Sequence, residues 1–261
     1  METVDLVGLA APITYFGFLL TERLWPARSF PARPGWQWIG IAFLVVLGIV
    51  STVVPLLIPA AWLEAHRWFD GTHLGVVGGT LAGFVLGEGA IYAYHRSAHR
   101  VNFMWRAFHQ LHHSPRRVDI AGSVVFHPLE MAMQTLIMLF VTVIVLGLQP
   151  LAAALVGYVF AFYGYFQHWN VRTPQWLGYI IQRPESHCVH HRLGVHYYNF
   201  ADLPLWDIVF GTFRNPRQFN GECGFEHGGD RRMPAMLAFA DVNAPNYGRG
   251  SRGVKPSPAT A

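Results

Sequence analysis

From Trp36 to about Ile58 the chain carries no charged residue over 23 positions. That is the length a helix needs to cross the roughly 30 Å hydrocarbon core of a bilayer. Similar apolar runs extend from about Val4 to Leu20, Leu74 to Tyr94, Leu129 to Leu148 and Leu151 to Phe166. Inside a bilayer each run must satisfy its own backbone polar groups, which makes every one of them a helix. Composition agrees: 13% of residues are charged and 52% hydrophobic, where a soluble domain carries about 25% charged residues. The predicted fold is therefore an all-α integral membrane protein of one domain. Four or five hydrophobic helices are expected, since the first run is short and the hairpin at Gln149-Pro150 is tight enough to be re-entrant.

The basic residues fix an expected orientation. Arg23, Arg28 and Arg33 follow the first run, Arg96, Arg100, Arg106, Arg116 and Arg117 the third, and Arg172, Arg183 and Arg192 the fifth. If all five segments cross, these loops share one side, and an excess of arginine marks the cytoplasmic side. The N-terminus is then outside. Its Met-Glu-Thr-Val-Asp start is acidic where a cleavable leader would be basic. The formal charge of +4 is explained by these loops, and no nucleic acid partner is expected. Cys188 and Cys223 are too few for a disulfide framework or a Cys-rich zinc site, which suits a reducing compartment. Short loops and Ala/Gly/Arg usage point to a bacterial cytoplasmic membrane, with Trp62, Trp68 and Phe69 at the opposite interface.

Histidines gather where the arginines do. His95 and His99 form an HxxxH, His109, His112 and His113 an HxxHH, and His187, His190 and His191 repeat the HxxHH. On a helix, residues at i and i+4, or at i, i+3 and i+4, share one face and can grip one ion. An isolated histidine is more often a surface or core residue than a ligand. Eight imidazoles at ligand spacing, all on one side of one membrane, are another matter, because polar groups there need partners. Eight also exceed what one tetrahedral ion uses, so two metal ions are expected. Iron in an O2-activating site comes first, although the ligand types equally permit zinc or copper. The chain has neither the Glu-x-x-His pairs of carboxylate-bridged di-iron bundles nor the HExxH of zinc proteases.

In these boxes the sequence resembles the fatty acid hydroxylase/sterol desaturase superfamily of membrane di-iron enzymes. The boxes stand in that family's order between its hydrophobic hairpins. Two flanking stretches add to the likeness: Phe126-His127-Pro128-Leu129-Glu130 after the second box, and the run from Asn199 to Phe213 after the third. The resemblance covers roughly Phe84 to Pro216. Phe166 to Pro174 is similar to the sterol-desaturase-like branch, which implies His168 as a ninth ligand. The resemblance further implies hydroxylation or desaturation of a lipid C–H bond, sterol-like or fatty acyl, with two iron ions (Fe2+/Fe3+), O2 and two electrons. No side chain alone can attack such a bond. Electrons would arrive from a separate ferredoxin, cytochrome or reductase, which the basic residues Arg96, Arg106, Arg116 and Arg117 could dock; the same residues suit anionic lipid headgroups.

Other residues are weaker candidates. Glu88, seven positions before His95 in an apolar run, could orient a ligand histidine or line a wet cavity. His127 and His196 are possible additional ligands, with capping or a supporting role equally open. Asn199 and Asp207 are candidates for supporting the ligands by resemblance, and helix capping would explain either. His66, His73 and His227 are expected to be ordinary. Residues 1–83 are expected to form N-terminal membrane helices, 84–216 the catalytic region, and 217–261 a tail that is disordered from about Asn243. A membrane metal transporter or metal-binding protein is the alternative from another class. It would place polar ligands near the bilayer midplane, whereas these gather at helix ends.

Overall fold

The computed structural model describes residues 3–226 and 228–243. Among them the secondary structure is helical, with an isolated bridge between Arg192 and Cys223 and no strand. Among the described residues five helices are long and apolar enough to cross a membrane. They are α1 (Thr3–Leu24), α2 (Trp36–Leu56), α3 (Gly75–Arg100), α4 (Pro128–Leu139) and α5 (Pro150–His168). A wide turn over Phe140–Val145 lengthens α4. Pro128 and Pro150 open their helices in the first turn, where a missing N–H costs nothing.

The third helix runs further than its apolar run predicts. Tyr94 to Arg100 contains no breaker, and Ala98 is fully buried, so helical geometry persists until Val101 turns extended. His95 and His99 therefore sit on the last two turns of α3 rather than beyond it. The approach of α5 depends on glycine. A β-carbon at Gly83 would lie 2.7 Å from Val156 Cγ2 and 2.9 Å from Leu148 Cδ1, and one at Gly79 would lie 3.1 Å from Ala152. Small residues four apart let two helix backbones come close where the bilayer supplies no hydrophobic drive.

One end of the bundle carries a polar cap, and buried hydrogen bonds tie the helix ends to it. Glu22, at the end of α1, accepts from the amides of Ile120 (3.1 Å) and Asn170 (3.3 Å). Trp36, the first residue of α2, is fully buried and donates from Nε1 to Asp119 at 2.9 Å. The cap adds two short helices, α6 (Pro184–His190) and α7 (Pro204–Val209). His66 and His73 lie at the far end of the bundle, both exposed. Among the described residues after 216, Phe225, Met236 and Val242 are buried with Trp36 and Leu111 in one apolar cluster. The expectation of disorder beyond Asn243, and the expectation for His227, concern residues outside the described ones.

Replacing Gly83 by leucine should force α3 and α5 apart and lower stability by about 1–3 kcal/mol. Gly48, with nothing near its would-be β-carbon, serves as the control. Thermal melting in detergent should fall for Gly83→Leu and hold for Gly48→Leu; equal melting would contradict the close packing.

Candidate metal centre

The nine histidines of the boxes and of α5 converge on one end of the bundle and divide into two groups. His95, His99, His109, His113 and His190 form one, and His112, His168, His187 and His191 the other; in each group the ligand-capable atoms lie within 4.8 Å of one another. This corrects the expectation that the i, i+3 and i+4 rings of one box grip one ion: around a helix i and i+4 stand about 40° apart, but i+3 and i+4 about 100°. In each HxxHH the i and i+4 rings point one way and the i+3 ring the other. His109 and His113 thus enter the first group while His112 enters the second, and His187 and His191 enter the second while His190 crosses to the first. The groups adjoin: His113 stacks on His191 with centroids 4.1 Å apart, and His187 on His190 at 5.2 Å.

The chain reaches this arrangement through irregular backbone. After α3 ends, a π-helical turn over Trp105–His109 precedes the helical turn Gln110–His113. Such a wide turn shifts the register of the helical residues after it. Helix α6 is fixed at its N-terminus by Arg183, whose fully buried guanidinium donates to Thr173 Oγ1 (2.9 Å), Asn215 Oδ1 (2.7 Å) and the Pro216 carbonyl (3.0 Å) and pairs with Glu185 (3.0 Å).

Three of the first group's rings have their outer nitrogen engaged. His95 Nδ1 donates to the Phe200 carbonyl at 2.6 Å, His190 Nδ1 to the Tyr198 carbonyl at 2.8 Å, and His109 Nδ1 to Glu130 Oε1 at 2.7 Å. Each contact fixes the tautomer and leaves Nε2 as the inward lone pair. Glu130, fully buried, is a supporting residue that enters the sequence reading only as the last letter of a motif. A lone carboxylate inside an apolar run is the signal that could have found it, the same one that singles out Glu88.

The inner nitrogens are arranged as ligand atoms would be. His109 and His113 Nε2 stand 3.0 Å apart, His168 and His187 2.9 Å, His187 and His191 3.0 Å, and His112 and His168 3.3 Å. Nitrogens bound at about 2.0–2.1 Å around one ion are separated by about 3.0–3.4 Å. Among the described residues, the inward Nε2 atoms of His95, His99 and His190 are buried without a hydrogen-bond partner, while the Nε2 atoms of His109 and His113, and those of the second group, face one another. Each such atom costs roughly 1–3 kcal/mol when left unpaired. An all-imidazole set fits a metal ion in each group, by unspent inward nitrogens in the first and by Nε2 atoms converging at ligand separations in the second.

The remaining candidates separate cleanly. Glu88 touches no histidine: its Oε2 accepts from the amides of Asp202 and Leu203, both at 3.0 Å. Asp207 accepts from the amides of Phe200 and Ala201, each at 2.9 Å. Asn199, in the left-handed region at φ 58°, donates to the Ser186 and Arg214 carbonyls at 2.8 and 2.9 Å. These three side chains together hold the loop whose Phe200 carbonyl orients His95. His127 caps α4, accepting from the Leu129 amide at 3.1 Å, and stands outside both groups. His196 stacks on His99 at 5.5 Å with both ring nitrogens unpartnered, at the margin of the first group.

Burial controls the protonation of the rings in the cap. It pushes His109 down to about 3 and His196 to about 4 from an ordinary 6.5. It also holds His112, His113, His187, His190 and His191 well below that value, with neighbouring imidazoles adding to the effect. The His109–Glu130 contact is thus a hydrogen bond from a neutral ring, and the cap presents neutral imidazole, the form that binds metal. Burial raises Asp202 to about 7 and Asp207 above its ordinary value.

Fold and site together define a class: a helical membrane protein whose cap holds two adjoining all-histidine groups able to hold metal. The fatty acid hydroxylase family model matches residues 80–212, about half of the chain and every one of the nine histidines, and the chain belongs to that family. It is also similar to the ornithine lipid hydroxylase OlsE of Rhizobium tropici, 32% identical over 218 residues. The aligned region covers 76% of this chain and 63% of that relative, so the chain spans less than two thirds of its length. No solved structure matches.

Because the cap histidines stay neutral in the fold, the unfolded chain takes up protons first as pH drops through about 6.5. Stability of the metal-free protein is then lost from about pH 6.5 down towards 3, where His109 itself protonates. Melting temperature should fall between pH 7.5 and 5; a flat profile would contradict neutral, buried rings. Replacing Glu130 by glutamine should weaken metal binding in the first group by about 10–100-fold, read by chelator competition, and leave the second group's affinity unchanged.

Proposed function

We propose that the protein is a membrane di-iron oxygenase that hydroxylates a C–H bond of a lipid, with O2 as co-substrate. The observation that carries this reading is the pair of adjoining all-imidazole groups, supported by membership of the fatty acid hydroxylase family. In this proposal one iron is held by His95, His99, His109, His113 and His190, and the other by His112, His168, His187 and His191. Bound iron would supply O2 activation strong enough to attack an unactivated C–H bond, chemistry that side chains lack. The balance is RH + O2 + 2 e− + 2 H+ giving ROH + H2O, with electrons from a separate ferredoxin, cytochrome or reductase.

The chain's own residues have defined tasks in this reading. Glu130 and the Tyr198 and Phe200 carbonyls hold His109, His190 and His95 with Nε2 inward. Glu88, Asp207 and Asn199 keep the Phe200 loop in place. Burial keeps the rings neutral and excludes water from a centre where reactive oxygen must be protected. The substrate enters sideways from the bilayer, since a long apolar chain would be strongly disfavoured in water. The catalytic region is 84–216, facing the cytoplasm of a bacterial membrane by the arginine distribution. The relative's name favours an acyl aminolipid such as ornithine lipid as the substrate class, and hydroxylation over desaturation.

The test is lipid analysis of a host that makes such aminolipids, with and without the protein. Expression should yield a lipid 16 Da heavier, a figure fixed by insertion of one oxygen atom, and His112→Ala and His190→Ala should abolish it. A product lighter by two hydrogens would mean desaturation, and full activity in both variants would refute the site.

A further inference from the structure

A second feature lies on the opposite side of α3 from the histidines. Successive helix residues advance by about 100°. Glu88, His95 and His99 therefore share one face, while Leu86, Ala90, Ala93 and Ser97 share the reverse face. On that reverse face is a groove of about 700 Å³. Its floor is Leu86, Gly89, Ala90 and Ala93; one wall is Phe140 and Val141, and the other is Trp206 and Phe210. The floor stays open because its residues are small. A β-carbon at Gly89 would lie 2.8 Å from the Trp206 ring, so glycine also lets that wall close in. Exposed Phe140 and Phe210 open the groove sideways, toward the membrane.

Two arginines mark one end of it, Arg96 and Arg100. Arg96 donates to the Tyr92 hydroxyl at 3.0 Å, and its guanidinium lies 5.8 Å from the ring centroids of both Tyr92 and Phe210. Its Nε is buried without a partner. Among the described residues neither arginine pairs with a carboxylate, whereas Arg33, Arg116, Arg117 and Arg183 each do. A guanidinium in an apolar groove with an unspent donor calls for an anionic oxygen. The depth also fits. From Leu86 to Arg96 the helix rises about 15 Å, half of a roughly 30 Å hydrocarbon core, so the apolar floor spans one leaflet.

We propose that this groove binds one anionic phospholipid, its acyl chain along Leu86 to Ala93 and its phosphate oxygens on Arg96 and Arg100. A chain held there lies behind α3, away from both histidine groups, so this is a resident lipid site and not the substrate chamber. The bound lipid would brace α3 against α7, whose Trp206 packs on Phe200 of the loop that orients His95. The assignment stands independently of the proposed chemistry.

Native mass spectrometry of the purified chain with equimolar phosphatidylglycerol and phosphatidylcholine of identical acyl chains tests it. The protein should retain one phosphatidylglycerol in preference to phosphatidylcholine. Each arginine near a membrane surface contributes about fivefold in binding to anionic lipid. The double variant Arg96→Gln/Arg100→Gln should lose that preference while keeping its metal content, which shows that its fold survives. Equal retention of both lipids by the unaltered chain would overturn the site, as would a preference that persists in the double variant. A lipid-free dimer would place a second copy on this face and overturn it equally.

Discussion

The capped end of this molecule depends on gathering nine imidazoles, seven of them buried, at one end of the bundle. An unpaired ring nitrogen buried in protein is costly, and a protonated ring more so, which is why burial drives the cap histidines neutral. A metal ion, which accepts several lone pairs at once, would offset that burden. The Nε2 separations of 2.9 to 3.3 Å are those of rings sharing an ion. The bundle beneath provides rigidity through glycine-mediated contact of α3 with α5. Glu22 and Trp36 pin the ends of α1 and α2 to the cap.

Support for the rings is uneven. In the first group three outer nitrogens are tied to Glu130 and to the Tyr198 and Phe200 carbonyls. In the second, the Nδ1 atoms of His112, His168, His187 and His191 have no such tie among the described residues. Their orientation comes instead from ring packing, such as His112 on Phe126 at 4.0 Å. The first group is therefore the more rigidly prepared of the two. Its loop is clamped from two directions: Glu88 on α3 holds the amides of Asp202 and Leu203, and Asp207 on α7 holds those of Phe200 and Ala201.

Much of this is legible in the sequence because both signals are local. Apolar runs locate spanning helices, and i, i+4 spacing places rings on one face. Partition of each HxxHH between two groups is latent in the same periodicity, but which rings meet depends on how α3, the Gln110–His113 turn and α6 are docked, a long-range fact. Glu88 shows the limit. Its position on the His95 face suggests a contact with a ligand, yet it satisfies backbone amides of a loop 114 residues away. Glu130 is hidden for the opposite reason, since its partner His109 belongs to a box from which it is separated by 21 residues. Folding of the segment from Phe225 to Val242 onto Trp36 and Leu111 is equally invisible, because three scattered apolar residues make no periodic pattern.

That the two histidine groups are two metal sites is tested most directly by metal content per chain. The protein would be made in iron-replete medium, unaltered and with one group disabled at a time by His99→Ala or His187→Ala. Two iron equivalents in the unaltered chain, falling to about one in each variant, is the expected result. A single equivalent in the unaltered chain, or two equivalents retained in both variants, would contradict it.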